Sequence, residues 1–267
     1  MHEIFVQEHW FASLKPNKFG MNDIDLYATL AFPWFYNQQT PLLLTPGFSI
    51  HLWDGPVTDL AAPPDHQADL PPRVYDAYLD AAWNPQITPW LGGELDASVG
   101  VYSDFSKLID DSIRIQGRGL AVLSFSPSFK IKAGVWYLNR LRVKILPAGG
   151  IVWMPNSDIR FDILFPDPKF TKRLTTIGTT DWRLMLRGEY GGGDWTVKRA
   201  FGVPGQTDEV NYNDIRVAGG LEFEQTGGVH GSLETGVAFD REILFRSGAP
   251  QKYVPTTTVF VGGAIAY

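Results

Sequence analysis

The order of residues in this 267-residue chain predicts an all-β fold, a transmembrane up-and-down antiparallel β-barrel of about fourteen strands. Apolar and polar residues alternate with period two along almost the whole length, and almost no segment repeats with period 3.6. The connectors alternate between tight and long as the strands are counted off. Large aromatic residues gather near strand ends, the layout of interfacial girdles.

Strands are read at 4–14, 23–32 and 41–53, then at 74–84, where Tyr75, Ala77, Leu79, Ala81 and Trp83 oppose Asp76, Tyr78, Asp80 and Asn84. Alternation continues through 94–102 and 112–125. In the latter, Ile113, Ile115, Gly117, Gly119, Ala121, Leu123 and Phe125 share one face and Arg114, Gln116 and Arg118 the other. Further strands fall at 129–139, 144–155, 159–165, 182–190, 195–200, 214–224, 229–240 and 258–267. The count becomes twelve if 181–200 is one bent hairpin or a loop excursion. Tight connectors rich in Pro, Gly, Ser or Asn occupy 86–90, 126–128, 156–158, 191–193 and 226–228, and longer polar ones occupy 54–72, 105–111, 166–180, 202–211 and 246–253. One end is therefore trimmed and the other elaborated, with both termini on the trimmed, periplasmic side. No boundary or repeat interrupts the pattern, so 1–267 is read as a single domain.

A soluble sandwich hides its apolar face, whereas a membrane barrel turns that face to lipid and encloses the polar one. The apolar faces here are mostly Ala, Gly, Val, Leu and Ile, with Trp34, Trp83, Trp90 and Trp153 beside tight turns and Trp53 and Trp182 beside long loops. That arrangement favours the barrel. Composition agrees with what it excludes: no Cys means no disulfide, thiolate metal site or Cys nucleophile, and a net charge of -6 with scattered Lys and Arg speaks against nucleic acid. No run approaches the roughly 18 apolar residues of a membrane helix. The chain opens on Glu3-Ile4-Phe5-Val6 without a basic n-region. A location in the bacterial outer membrane is expected, with the signal peptide already removed.

The last strand alternates Val259, Val261, Gly263, Ile265 and Tyr267. Gly262, Ile265 and Tyr267 resemble the terminal assembly signal that the barrel-assembly machinery reads, although Phe260 stands where a polar residue is usual. Six stretches, 45–56 (TPGFSIHLWDGP), 69–80 (DLPPRVYDAYLD), 100–105 (GVYSDF), 146–153 (LPAGGIVW), 188–193 (GEYGGG) and 212–217 (YNDIRV), are similar to a Gram-negative-type outer-membrane β-barrel family of unknown function. The resemblance implies a porin-like barrel in the outer membrane and brings no catalytic or ligand residues with it.

Candidate chemistry lies on the inward faces. Asp76, Asp80, Glu94 and Asp96 fall on two consecutive strands and Arg114, Arg118, Lys130 and Lys132 on the next two, followed by Arg160 and Asp162, by Arg183, Arg187 and Glu189, and by Asp214 and Arg216. Such banks bias ion passage in an open lumen, or they close as salt-bridge ladders. Fourteen strands leave a narrow pore, between the side-chain-filled barrel of about eight strands and the wide channel of about 16. The reading is a channel for ions or small hydrophilic solutes, with outer-membrane lipid and the assembly machinery as partners; the alternative is a non-conducting structural or adhesive barrel. The connectors 54–72 and 166–180 are expected to be able to fold over the mouth.

A lipid hydrolase is the weaker alternative. His230 and Ser232, with Glu234 beyond, resemble a base and nucleophile on one strand face, but the alternation turns them toward the lumen and no Asn-Gly follows to make an oxyanion hole. The chain is accordingly expected not to be an enzyme and to need no cofactor. His2, His9, His51 and His66 lack ligand spacing, so no metal site is expected, and Gly191-Gly-Gly193 reads as a turn.

Overall fold

The computed structural model describes residues 3–34, 37–55, 70–198, 207–247 and 252–267. Most of the 54–72 connector, including His66, lies outside the described residues, as do His2, Ala200 and the side chain of Trp34. In chain order the strands are β1 (Glu3–Phe11), β2 (Gly20–Trp34), β3 (Asn37–Asp54), β4 (Arg73–Trp83), β5 (Leu91–Ser103), β6 (Ile113–Ser126), β7 (Phe129–Tyr137), β8 (Ile145–Trp153), β9 (Ile159–Phe165), β10 (Lys169–Ile177), β11 (Thr180–Lys198), β12 (Thr207–Gln225), β13 (His230–Phe245), β14 (Lys252–Tyr253) and β15 (Thr258–Ala266). Each from β2 to β13 pairs antiparallel with its predecessor, and β15 closes the ring between β13 and β1. Fourteen strands thus form a closed wall, and β14 is a two-residue addition to β13.

Closure and alternation together make this a transmembrane barrel. A closed ring satisfies ladder donors and acceptors between neighbouring strands, the condition for crossing hydrocarbon with strands. The exterior is apolar: Ile115 is 62% exposed, Ile163 58%, Leu233 68% and Val261 51%. At the short-turn end Trp90, Phe125, Trp153 and Tyr267 are exposed, and at the loop end Trp10, Phe105, Tyr137 and Phe165. Two tryptophans stand elsewhere than expected. Trp53 points inward, buried against Phe19 and Trp195, and Trp182 follows the tight turn that joins β10 to β11.

The count of fourteen conceals two opposite errors in the sequence expectation. The 166–180 connector contains strand β10, so it is not a lid; only 166–168 joins β9 to β10. Its alternation is broken by a bulge between Arg173 and Thr175, and Leu174, Thr175, Thr176 and Ile177 are exposed in succession. Conversely, 191–193 is no turn. β11 runs unbroken through the three glycines, and the expected strand at 195–200 is its far end.

Those glycines let the β11–β12 hairpin bend into the barrel. Gly192 sits at φ +101°, where a side chain is strained, and a Cβ there would lie 2.0 Å from the Tyr212 carbonyl oxygen. Beyond this bend the hairpin crosses the lumen on the loop side. Thr196 pairs in parallel with Ser103 of β5, which stands across the ring from β11. Trp195, Val197, Val210 and Tyr212 join Phe11, Phe19, Trp53, Val74 and Phe260 in an apolar core inside the barrel. The mouth is therefore filled by two strands of the wall itself.

Trp195 anchors this crossing, with 2% exposure and its indole N–H donating to Asp76 Oδ1 at 2.5 Å. Replacing a buried Trp by Ala costs about 3–5 kcal/mol. Urea unfolding of the refolded Trp195→Ala barrel in detergent should show a loss of that order; a loss under ~1 kcal/mol would mean that the hairpin is not packed on the wall.

Candidate functional site

The site is the interior of the barrel, whose polar groups are brought together by three seats. At the first, His51 of β3 hydrogen-bonds Asp23 Oδ1 of β2 through Nδ1 at 2.7 Å and faces Asp76 Oδ2 of β4 through Nε2 at 3.2 Å. Three adjacent strands thereby hold the carboxylate that receives Trp195. At the second, Arg114 of β6 pairs with Asp194 at 2.6 Å and Glu209 at 3.0 Å on the two strands of the hairpin. Arg246 also grips Glu209, and Arg246 reaches Asp111 at 2.6 Å. All of Arg114, Asp194 and Glu209 are buried, so these charges hold one another where water is excluded.

The third seat is the 138–144 connector, which closes over the hairpin. Arg140 donates to the carbonyls of Gly191 at 2.9 Å and Gly192 at 2.6 Å, and the Leu141 amide donates to Asp194 Oδ2 at 2.7 Å. Arg142 continues to Glu242 on β13, which also holds Lys252. The lid is thus centred on 140–143, the stretch between the strands expected at 129–139 and 144–155, to which the sequence assigns no role.

On the side away from β4 and β5, a relay of side chains runs down the lumen. Arg241 donates to the Tyr212 hydroxyl at 2.9 Å, Tyr212 to Asp214 at 2.7 Å, and Arg216 to Asp214 at 3.0 Å. Arg216 lies 3.7 Å from Glu189. Glu189 pairs with Arg187, which reaches Glu234 at 2.5 Å, and Glu234 meets His9 Nε2 at 2.7 Å. His9 spans β15 to do so, and its ring occupies the place of a Cβ on Gly262, 2.0 Å away. The glycine expected to serve assembly therefore has a local task.

The remaining expected residues are placed as follows. Asp80 and Asp96 face one another beside Arg118, whose guanidinium stacks 6.0 Å from the Trp136 ring. Glu94 of β5 pairs with Lys132 of β7 at 2.6 Å, so the acidic and basic banks are joined across β6. Lys130 stands level with Ser124 and Val152. Arg160 pairs with Asp162 at 2.7 Å and Arg183 with Glu224 at 3.2 Å, near the short-turn mouth. His230 accepts no proton from Ser232: its Nδ1 faces the Gly228 carbonyl at 3.1 Å and its Nε2 faces Glu3 at 3.9 Å. Sequence reading missed His9, Asp23, His51, Arg140, Asp194, Glu209 and Arg241 as site residues. Strand parity alone marks His9, which shares a face with Gln7 and Phe11.

Three cavities follow one another between these seats. One of about 410 Å³ lies among Gln7, His9, Arg187, Glu222, His230 and Ser232. A second of about 260 Å³ shares Lys169, Arg187 and Glu189 with it. The third, about 310 Å³, shares Trp136, Arg140 and Gly192 with the second and ends among Asp80, Asp96 and Asp194.

If Gly262 exists to admit His9, Gly262→Ala and His9→Ala should be non-additive in denaturant unfolding, with a coupling of about 1 kcal/mol or more; additive losses would refute the link. Asp167, in the short β9–β10 connector, has its carboxyl pushed up to about 6 by burial and by Glu189. The native state binds its proton more tightly than the unfolded chain, so stability falls as pH rises through about 6. Asp167→Asn should exceed the wild type in stability at neutral pH and lose that advantage near pH 4, as thermal melts would record.

Comparison with known proteins finds no matching family model and no matching curated protein. Three solved structures align over nearly the whole chain. LpxR from Salmonella typhimurium has 10% identity and a TM-score of 0.41, with 99% of each chain covered. A bacterial polysaccharide outer membrane secretin has 11% identity and a TM-score of 0.40, with 100% of this chain and 99% of that chain covered. A mutant Rh. blastica porin has 10% identity and a TM-score of 0.29, with 99% and 98% covered. The first corrects one sequence expectation: with LpxR among the full-length matches, the exclusion of enzymatic activity does not stand.

Proposed function

We propose that this chain is a channel of the bacterial outer membrane for ions or small hydrophilic solutes, held shut on its loop side by the β11–β12 hairpin. The observation that carries the reading is the series of three cavities, each lined in part by charged side chains, that share walls from the His230 end of the lumen to the underside of the hairpin. The solute route then ends on groups that can separate: ion pairs and hydrogen bonds seat the hairpin on β4, β6 and the 138–144 connector. Rows of charge along such a route select among ions. In this reading Gly262, Ile265 and Tyr267 also present the last strand to the assembly machinery. The filled mouth favours one other reading, a structural barrel that never conducts.

Because the chain has no Cys, Ser103→Cys with Thr196→Cys places a unique pair where the hairpin meets β5. In planar bilayers the oxidised pair should silence the conductance steps of the wild type, and reductant should restore them. Neutralising Asp80 and Asp96 together should shift the reversal potential in a salt gradient away from cations. Absence of steps above the lipid background in both the wild type and Trp195→Ala would overturn the channel reading and leave the structural one.

A further inference from the structure

The wall of the barrel is uneven in height. Strands β7, β8, β9 and β10 have 9, 9, 7 and 9 residues, whereas β11, β12 and β13 have 19, 19 and 16. A tilted membrane strand needs about 9–11 residues. β9 pairs with β8 only over 149–153 and with β10 only over 169–172, and β10 leaves β11 at Arg187. Above that level the edge of β8 from Ile145 to Ala148 and the edge of β11 from Gly188 onward have no strand between them. The 166–168 connector lies in this notch, where the Gly188 amide donates to the Pro168 carbonyl at 2.8 Å.

The notch joins two different environments. Inside lies the cavity of about 260 Å³ lined by Arg140, Asp167, Glu189 and Tyr190. Outside, on the lipid-facing wall, an almost wholly apolar groove of about 330 Å³ runs between Phe161, Ile163, Phe170, Leu186 and Val217. Pro168, Lys169, Arg187 and Gly188 border both. The inner cavity has unmet capacity. Among the described residues no carboxylate stands within ion-pair distance of Arg140, whose partners are carbonyl oxygens, the Asn213 side chain and the Tyr190 ring, 5.5 Å away. Asp167 Oδ1 is buried without a hydrogen-bond donor.

We infer that this notch binds an amphiphile of the loop-side leaflet whose headgroup carries a phosphate beside hydroxyl donors. Its acyl chain lies in the groove, already in hydrocarbon, and its headgroup passes Gly188 into the cavity. There the phosphate meets the Arg140 guanidinium, the charge-assisted pairing that guanidinium and phosphate favour, and joins Glu222 on the Lys169 ammonium, which has three donors to share. A headgroup hydroxyl supplies the donor that Asp167 Oδ1 lacks, whereas a choline headgroup has none to give. The site is independent of whether the lumen conducts.

The full chain in detergent, titrated with dioleoyl phosphatidylglycerol, dioleoyl phosphatidylcholine or glycerol 1-phosphate, tests this by native mass spectrometry. One phosphatidylglycerol should be retained with roughly tenfold preference over phosphatidylcholine, and glycerol 1-phosphate should be retained weakly. Gly188→Phe, which fills the passage beside Pro168, should remove that preference, while Ala121→Phe on the lipid face of β6 should keep it. Should Gly188→Phe fail to fold, Asp167→Ala should bring the two lipids to equal retention. Equal retention of both lipids by the wild type would overturn the inference. So would an unchanged preference in the folded notch variant, and retention of glycerol 1-phosphate as strong as that of the lipid would assign the pocket to a soluble phosphate instead.

Discussion

The ion pairs that seat the β11–β12 hairpin on the opposite wall take the place of water that a fourteen-strand lumen would otherwise hold. A barrel of this size is too wide for wall side chains to fill alone. The chain solves the problem by sending two of its own strands across, with Trp195 on Asp76 and Arg114 on Asp194 and Glu209. Each charge so buried costs desolvation that only close partners offset. Hence the supporting contacts: His51 and Asp23 fix Asp76, Arg246 shares Glu209, and the Leu141 amide covers Asp194. Removing the crossing would leave these groups facing an empty mouth, so the remainder of the loop-side interior depends on it.

The wall was legible because a lipid-facing strand must alternate, and that period is written in each segment separately. Ile113 to Phe125 shows the rule, with Arg114 turned inward and Ile115 outward in both sequence and structure. The same reasoning failed where other demands prevailed. β10 lost its period to a bulge and to polar residues near the short-turn end. The glycines at 191–193 look like a turn because glycine usually punctuates, yet here they permit a bend inside a continuous strand. The two errors cancelled in the strand count and hid the hairpin.

The interior was less legible for a different reason. His9 and Glu234 are 225 residues apart and meet only because β15 closes the ring between their strands. No local pattern records that meeting. The expected lumen charges were found by parity, but parity says which way a side chain points and not whom it meets. The basic bank on β6 and β7 is a case in point: Lys132 serves the wall by pairing with Glu94, while Arg114 serves the hairpin.

Hairpin and notch have a common origin in one mismatch of length. β11 has 19 residues beside the 9 of β10, so its far part has no neighbour on that side once the shorter strand ends. An unpaired edge cannot stay in hydrocarbon, because its donors and acceptors would be unsatisfied there. Turning inward removes the edge from lipid, and Arg140 takes the carbonyls of Gly191 and Gly192, beyond the end of β10. The guanidinium caps this bent segment, and its charge rests on carbonyl dipoles and the Tyr190 ring, with no carboxylate within ion-pair distance among the described residues. The same shortness of β9 and β10 that frees β11 to close the mouth also lowers the wall at the place where that charge is held.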